Sequence, residues 1–352
     1  MVKCLVTKLN GSVDNNELLR IGEMRVKVES VESPTKDTQG FGVAFTEPTT
    51  VEIVGDGYFT NNTLTENKGK SMVVTGTSGI IVSQATTVAI RNKYKLSSLV
   101  VFIPSGVPYG KNKVLNIDDL KYALSLSSLN LTNMQASGDI ANLKNLTALT
   151  NLVLSNTVVS GDIANLKNLT ALQSLNLEKT QVSGDISNLK GLIALVTLNF
   201  AQTNVSGDIA SLKSLTALTN LSLANSKVSG DIANIYFALR GTAKEFNVAY
   251  CDNLSGDLAS LPNNILFFNS YRGNSKFTWT KGSSRTNILA CANLHCSNID
   301  DMLNDMADKT ASFAGQDAYY KAIALVGTRT SASDVAVQTL QSKGYTVSIN
   351  PA

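Results

Sequence analysis

The sequence predicts an α/β solenoid, made of parallel strands with short helical returns, preceded by a small all-β N-terminal domain. Three observations predict it. One tetrapeptide recurs at Ser137-Gly-Asp-Ile140, Ser160-Gly-Asp-Ile163, Ser183-Gly-Asp-Ile186, Ser206-Gly-Asp-Ile209, Ser229-Gly-Asp-Ile232 and Ser255-Gly-Asp-Leu258, with serines 23, 23, 23, 23 and 26 residues apart. A fixed period in the twenties means stacked, similar coils. Inside one repeat the apolar spacing then switches. Leu166, Leu169, Leu172 and Leu175 are three apart, as along a 3₁₀ turn, whereas Leu175 and Leu177 are two apart, as on one face of a strand. Finally, the first 95 residues lack the repeat and alternate in short runs separated by turn signals.

These features divide the chain into a β-rich domain over 1–95, a cap coil over 96–128, regular repeats over 129–258, and irregular coils with a terminal cap over 259–352. The first region has strand patterns at Lys3–Val6, Met24–Val28, Thr50–Val54, Ser71–Val74 and Thr87–Ile90. Gly55–Gly57, Asn61-Asn62 and Thr77–Gly79 read as turns, giving a small sandwich or barrel-like domain. Leu96-x-x-Leu99-x-Val101 carries the repeat's strand pattern and reads as the first, atypical coil. Pro104 to Gly110 reads as a loop. Asn116 then caps a helix, with Asp119 at its third position and Leu120, Ala123 and Leu124 inward.

Beyond the regular coils the pattern predicts strand pairs at Phe246/Val248, Leu266/Phe268, Leu289/Cys291, Ile323/Leu325 and Tyr345/Val347, with larger returns between them. One return begins at Asn298-Ile-Asp-Asp301. The last begins at Ser331-Ala-Ser-Asp334 as a capping box and ends at Gly344, a helix-terminating residue.

The recurrent turn has a structural reading. Glycine permits positive φ at a tight corner, and the aspartate accepts N–H groups at the start of the next helical turn. Stacking lines up Asp139, Asp162, Asp185, Asp208 and Asp231 beside a basic row of Lys144, Lys167, Lys190 and Lys213. A Ca²⁺ row is the sharper alternative, but each Asp lacks a second nearby carboxylate, and such sites need several oxygens at once. No metal or cofactor is expected.

Composition narrows the function. Apolar residues make up 43% and charged residues 16% of 352, and net charge is +3 without a basic block. The chain has the composition of a folded protein, and nucleic acid is not its expected partner. Runs such as Leu99–Ile103 are too short to span a membrane. Lys3 and Lys8 interrupt the N-terminal apolar stretch, so no signal peptide is expected. Sequons such as Asn145-Leu-Thr read as by-products of the repeat.

Cys291, His295 and Cys296 invite a metal reading, but their spacing is not Cys-x-x-Cys and no second pair follows. Aligning Asn293 with Asn225 puts Cys291 at the Leu223 core position, Cys296 at Val228 and His295 outside. Buried thiols replacing apolar residues is the better account. His295 is the only histidine, and no nucleophile elbow, Walker loop or dinucleotide fingerprint is present. No catalytic residues are assigned.

The pattern Leu172-x-x-Leu175-x-Leu177-x-x-Thr180-x-Val182 resembles the leucine-rich repeat family. Thr157, Thr180, Thr203 and Ser226 stand where that family usually carries Asn. The Ser-Gly-Asp-Ile turn is similar to that of the plant-type subclass, without the Pro that often follows. The strand faces are the binding candidate, on the concave side. They present Asn130, Val153, Asn176, Asn199, Ser222 and Asn247 in the middle row, flanked by Asn151, Ser174, Thr197, Asn220 and Glu178. This small, polar, nearly uncharged face suits a glycan or a protein, and it equally suits plain solvated sheet. Phe267, Tyr271, Phe277 and Trp279 lie in one irregular coil, where they either extend that surface or fill a widened core.

The ends carry a further resemblance. Leu18–Val28 with Gly55–Phe59 is similar to the N-terminal β-region of structural proteins from tailed, crAss-like phages of Bacteroides-type bacteria. Gly327–Asp334 through Gly344–Val347 is similar to the C-terminal coil of leucine-rich proteins from the same phages and their hosts. The resemblance implies a virion fibre, head decoration or collar protein. Its N-terminal domain would join other virion proteins in an oligomeric assembly, and its solenoid would face host glycan or protein. The rival expectation is a bacterial leucine-rich adhesin or adaptor of the cytoplasm or cell surface.

Overall fold

A computed structural model describes residues 24–27, 39–54, 57–60, 71–82, 87–90, 96–102, 116–134, 136–235, 245–263, 265, 267–270, 276–309 and 321–351. The chain divides into two compact units, Met1–Leu149 and Thr150–Ala352.

In the first unit, strands Met24–Lys27, Gln39–Val54, Gly57–Thr60, Ser71–Val82 and Thr87–Ile90 pair antiparallel. Gln39–Val54 extends well ahead of the strand expected from Thr50. Its ladder is interrupted between Phe45 and Thr49, around Pro48, which has no N–H to donate. Thr77–Gly79, expected as a turn, lies inside Ser71–Val82, where Gly79 pairs with Gly42 and strand pairing overrides the local turn signal. The strand expected at Lys3–Val6 and the loop expected at Pro104–Gly110 lie outside the described residues. Leu96–Phe102 serves two ladders, antiparallel to Gly40–Phe45 and parallel to Ser128–Asn130, with Leu99 beside Leu129.

The return after it is a 3₁₀ turn, Ile117–Leu120, capped by Asn116, whose Oδ1 accepts the Asp118 N–H at 3.0 Å. A period of three sends Ile117, Leu120, Ala123 and Leu126 inward and leaves Leu124 56% exposed. Leu124, expected inward from α-helical spacing, therefore faces outward on the 3₁₀ return.

The second unit stacks two parallel ladders. In the front ladder, strands pair one full repeat on: Leu152 with Leu175, Leu175 with Leu198, Leu198 with Leu221, then Phe246, Phe268 and Cys291 in turn. Strands Ala322–Val326 and Thr346–Asn350 continue it, with Ile323 beside Cys291 and Val347 beside Ile323. In the back ladder each coil slips two residues short of a repeat, so Gly184 faces Val205 and Gly207 faces Val228. A two-residue slip preserves which side chains point inward, whereas a one-residue slip would turn the core out.

The same parity explains where the expected register fails. Phe268, Cys291 and Val347 occupy the first inward position of their front strands, not the second, and Cys291 corresponds to Leu221 rather than Leu223. Alternation identifies the inward face but not which of two inward residues comes first.

Each regular coil buries its leucines completely, from Leu152 through Leu198. Each such side chain contributes roughly 1.5–3 kcal/mol of transfer free energy. Where leucine gives way, aromatic rings fill the space. Phe268 meets Phe246 and Phe277 edge to face, with centroids 5.5 and 5.0 Å apart.

The Ser-Gly-Asp-Ile turn joins one coil to the next. Asp162, Asp185 and Asp208 each accept the N–H two residues on, at 2.7–2.8 Å, capping their own 3₁₀ turns. That carboxylate fills the space where the next coil's glycine lacks a Cβ. A Cβ at Gly184 would overlap Asp162 Oδ1, and one at Gly207 would overlap Asp185 Oδ1. Both glycines also have φ near +114° and +113°, which disfavours any side chain. Deeper in, Thr157, Thr180 and Thr203 are buried and donate their hydroxyls to the Leu154, Leu177 and Phe200 carbonyls at 2.6–2.7 Å. In the next coils Ser226 and then Cys251 take this place. The Cys251 thiol donates to the Leu223 carbonyl, and burial raises its pKa.

Two later returns are true helices, Ile299–Ala307 and Asp334–Ser342. The second is entered through a 3₁₀ turn capped by Thr330, not by Ser331. Ser333 donates to Asp300 instead of capping the helix, so the capping-box expectation at Ser331 is corrected. The helix ends at Gly344, φ +87°, with the Gly344 and Tyr345 N–H groups returning to the Gln341 and Leu340 carbonyls. Arg285 is buried and donates to the Leu261, Pro262 and Ile265 carbonyls, and burial lowers its pKa to about 10.

Candidate binding site on the front sheet

The expected face residues share one geometry. Asn176 Oδ1 accepts the Glu178 N–H at 3.1 Å, Asn199 Oδ1 that of Ala201 at 2.9 Å, and Asn247 Oδ1 that of Ala249 at 3.1 Å. Asn130, in the first unit, does the same with Thr132. Each is an Asx turn that bends the chain off the strand. One residue further on the backbone turns left-handed, at Asn133, Lys179, Gln202 and Tyr250. Only oxygen can accept these N–H groups, so the turn fixes which end of each carboxamide faces the backbone and leaves the NH₂ to other acceptors, Glu178 in the case of Asn199. The asparagine oxygens therefore close the turns that end the front strands. Sequence reasoning missed this closure, because the left-handed residues that follow it, Asn133, Lys179, Gln202 and Tyr250, share no side-chain type.

Asn151, Val153, Ser174, Thr197 and Ser222 are half-buried on the same sheet, and Asn220 is exposed. Glu178 sits at the rim, 3.5 Å from Lys179 Nζ, and accepts from Asn199 Nδ2 at 3.2 Å. Where Ser222 replaces asparagine, a notch of about 200 Å³ opens between Asn199 and Asn247, walled by Thr197 and Asn220. Leu221 forms its floor and is 3% exposed, while Leu175 and Leu198 are fully covered.

The aromatic candidates separate. Phe267 contributes backbone to the front ladder beside Glu245 and Ala290. Tyr271 lies outside the described residues. Trp279 is not on this face. It follows back strand Lys276–Thr278, is 1% exposed, and donates its indole N–H to Asp305 Oδ2 at 2.8 Å. Inward parity from Phe277 places Trp279 in the core.

Cys291 and Cys296 are buried and His295 is exposed. Burial pushes both thiols up, Cys296 to about 11. Thiols held neutral in this way are poor nucleophiles and poor metal ligands.

No protein-family model matches the sequence, and no curated protein matches it. Among solved structures the chain is similar to leucine-rich ectodomains of plant receptor kinases. One is GASSHO1/SCHENGEN3 of Arabidopsis thaliana in complex with CASPARIAN STRIP INTEGRITY FACTOR 2, at 17% identity over 67% of this chain and 33% of that one, TM-score 0.46. Another is HAESA of Arabidopsis with an IDA peptide hormone ligand, at 23% identity over 51% of this chain and 32% of that one, TM-score 0.42. A plant ice-binding protein aligns at 18% identity over 56% of this chain and 66% of that one, TM-score 0.39. The chain spans 26%, 40% and 33% of the lengths of the PEPR1, RGFR1 and GASSHO1/SCHENGEN3 chains it aligns with. The coil geometry itself defines the class: an α/β leucine-rich repeat solenoid with an all-β N-terminal region.

Proposed function

We propose that this chain is a non-enzymatic binding protein that engages a partner through the front sheet of its solenoid. The observation that carries this reading is the neutral notch at Ser222, lined by Asn199, Asn220 and Asn247, on a sheet whose Asn176, Asn199 and Asn247 oxygens are fixed by turn closure. Such a notch supplies directional hydrogen bonds with little charge to desolvate. The finer reading is a phage virion component: a fibre, head decoration or collar protein in an oligomeric assembly. In it, residues 1–95 attach to other virion proteins and residues 96–352 face a host-surface partner. The resemblance of Leu18–Val28, Gly55–Phe59 and Gly327–Val347 to such proteins supports it.

Peptide mass spectrometry of density-purified particles from the source culture tests the virion reading. A signal stoichiometric with the capsid is expected. Absence from clean particles, with recovery in host-cell fractions, overturns it in favour of a bacterial adhesin or adaptor.

A further inference from the structure

The regular coils solve one packing problem repeatedly, so stacking gives no reason for their exposed positions to differ. Several vary among polar residues, and two rows on the returns are almost uniformly polar: Thr147, Thr170 and Thr216 in one, and Thr150, Gln173 and Thr219 in the next. In the coil that starts at Ile186 these become Ile193 and Val196, which are 62% and 38% exposed. The same return carries Gly191 where other coils have Asn145, Asn168 and Ser214. A Cβ there would meet nothing within 4 Å, so packing does not require that glycine. In the following coil Ser222 breaks the asparagine row, as Val153 does three coils earlier, and the notch lies there.

These departures fall together. The period-three return buries Leu189, Leu192 and Leu195 and turns Lys190, Ile193 and Val196 outward on one side. Val196 directly precedes Thr197 in the notch wall, and its carbonyl accepts the N–H groups of Thr219 and Asn220 from the next coil. An aliphatic lip thus adjoins a neutral, hydrogen-bonding notch. Lys190 lies in line with the lip, and Lys167 and Lys213 are exposed at the matching places of the neighbouring coils. An exposed apolar spot standing alone, such as Val158, needs no explanation; a contiguous lip, notch and basic flank does.

We infer that this patch docks an extended polypeptide segment. The segment would lay an aliphatic side chain on Ile193 and Val196, place a neutral amide or hydroxyl side chain in the notch, and set an acidic residue against the lysine row. The aliphatic lip favours protein over glycan, since a sugar hydroxyl gains nothing there. This inference rests on the proposed binding role and locates it.

The test pans a random peptide display library against the immobilised full-length chain. Enriched peptides are then titrated against the parent and against the I193T/V196T/S222N variant, which only restores residues that neighbouring coils already carry. Peptides combining aliphatic and acidic residues are expected, binding the variant at least about tenfold more weakly, with weakening by salt. Equal binding to parent and variant, with loss instead on N176A/E178A, overturns this location but leaves a front-sheet binding role intact. Failure to enrich any peptide, with or without binding on a glycan array, overturns the inference. Glycan binding lost on the front-sheet variants would still leave the broader reading standing.

Discussion

The regular coils and the coils after Ser260 hold together in different ways. In the regular coils each link is short and repeated: an Asp cap nested under the next glycine, a threonine hydroxyl on a carbonyl three residues back, a leucine over the previous leucine. In the later coils single side chains reach across larger returns. Asp305 accepts from Trp279, Gly282 and Ser283, Asp300 holds Thr330 and Ser333, and Lys343 caps the Ala307 and Lys309 carbonyls. The repeated links spread stability evenly along the stack, as expected of quasi-one-dimensional proteins. The single links concentrate it at a few ionisable groups.

Substitutions in each region test this contrast. The largest expected effect is Leu198→Ala, which opens a cavity in a fully covered coil and is expected to cost about 2–5 kcal/mol by urea denaturation. Gly207→Ala comes next, at about 2–3 kcal/mol, because φ is +113° and a methyl would meet Asp185 Oδ1. Adding Asp185→Ala should return part of that loss, and a strictly additive double variant would show that the nesting does not matter.

Asp305→Ala removes the acceptor of three donors and is expected to cost about 1–3 kcal/mol. Hydrogen exchange should rise in residues 276–283 and 299–307 but not in the coils before Ser260. Uniform exchange along the stack would contradict the division. Thr180→Val should cost only about 1 kcal/mol, since it strands one buried carbonyl.

Acid sharpens the same contrast. Burial alone would raise the Asp305 carboxyl, but the indole and two backbone donors, with Lys309 nearby, hold it below its ordinary value. Asp300 is likewise held down by Ser333 and Thr330 against burial. A lowered folded pKa stabilises fully above the unfolded value near ~4, and that stability is lost as pH falls through the folded one. The later coils should therefore loosen first below about pH 4, followed by residue-resolved hydrogen exchange.

The sequence revealed the stack because its links repeat. The Ser-Gly-Asp-Ile period, the three-to-two switch and the αL-permitting glycine at the turn follow directly from local chemistry. What stayed hidden was set by parity and by distance. Nothing local distinguishes Leu266/Phe268 from a strand starting at Phe268, and nothing local says that Trp279 reaches Asp305 across 26 residues. Leu124 was misplaced because a 3₁₀ return and an α-helix share their first inward residues before they diverge. The front-sheet residues were legible as one surface, but the Asx closure by Asn176, Asn199 and Asn247 became visible only with backbone geometry.

On the docking proposal, Ile193, Val196 and Ser222 depart from the repeat for binding and not for packing. Thermal melting of the I193T/V196T/S222N variant separates the two and needs no ligand. Exposed substitutions of this kind change stability by about 0.5 kcal/mol or less, and Ser222→Asn should add the Asx closure that the neighbouring coils have. An unchanged or slightly raised melting temperature is predicted. A clear drop would mean that the three residues serve the stack, and the docking site would fall with it.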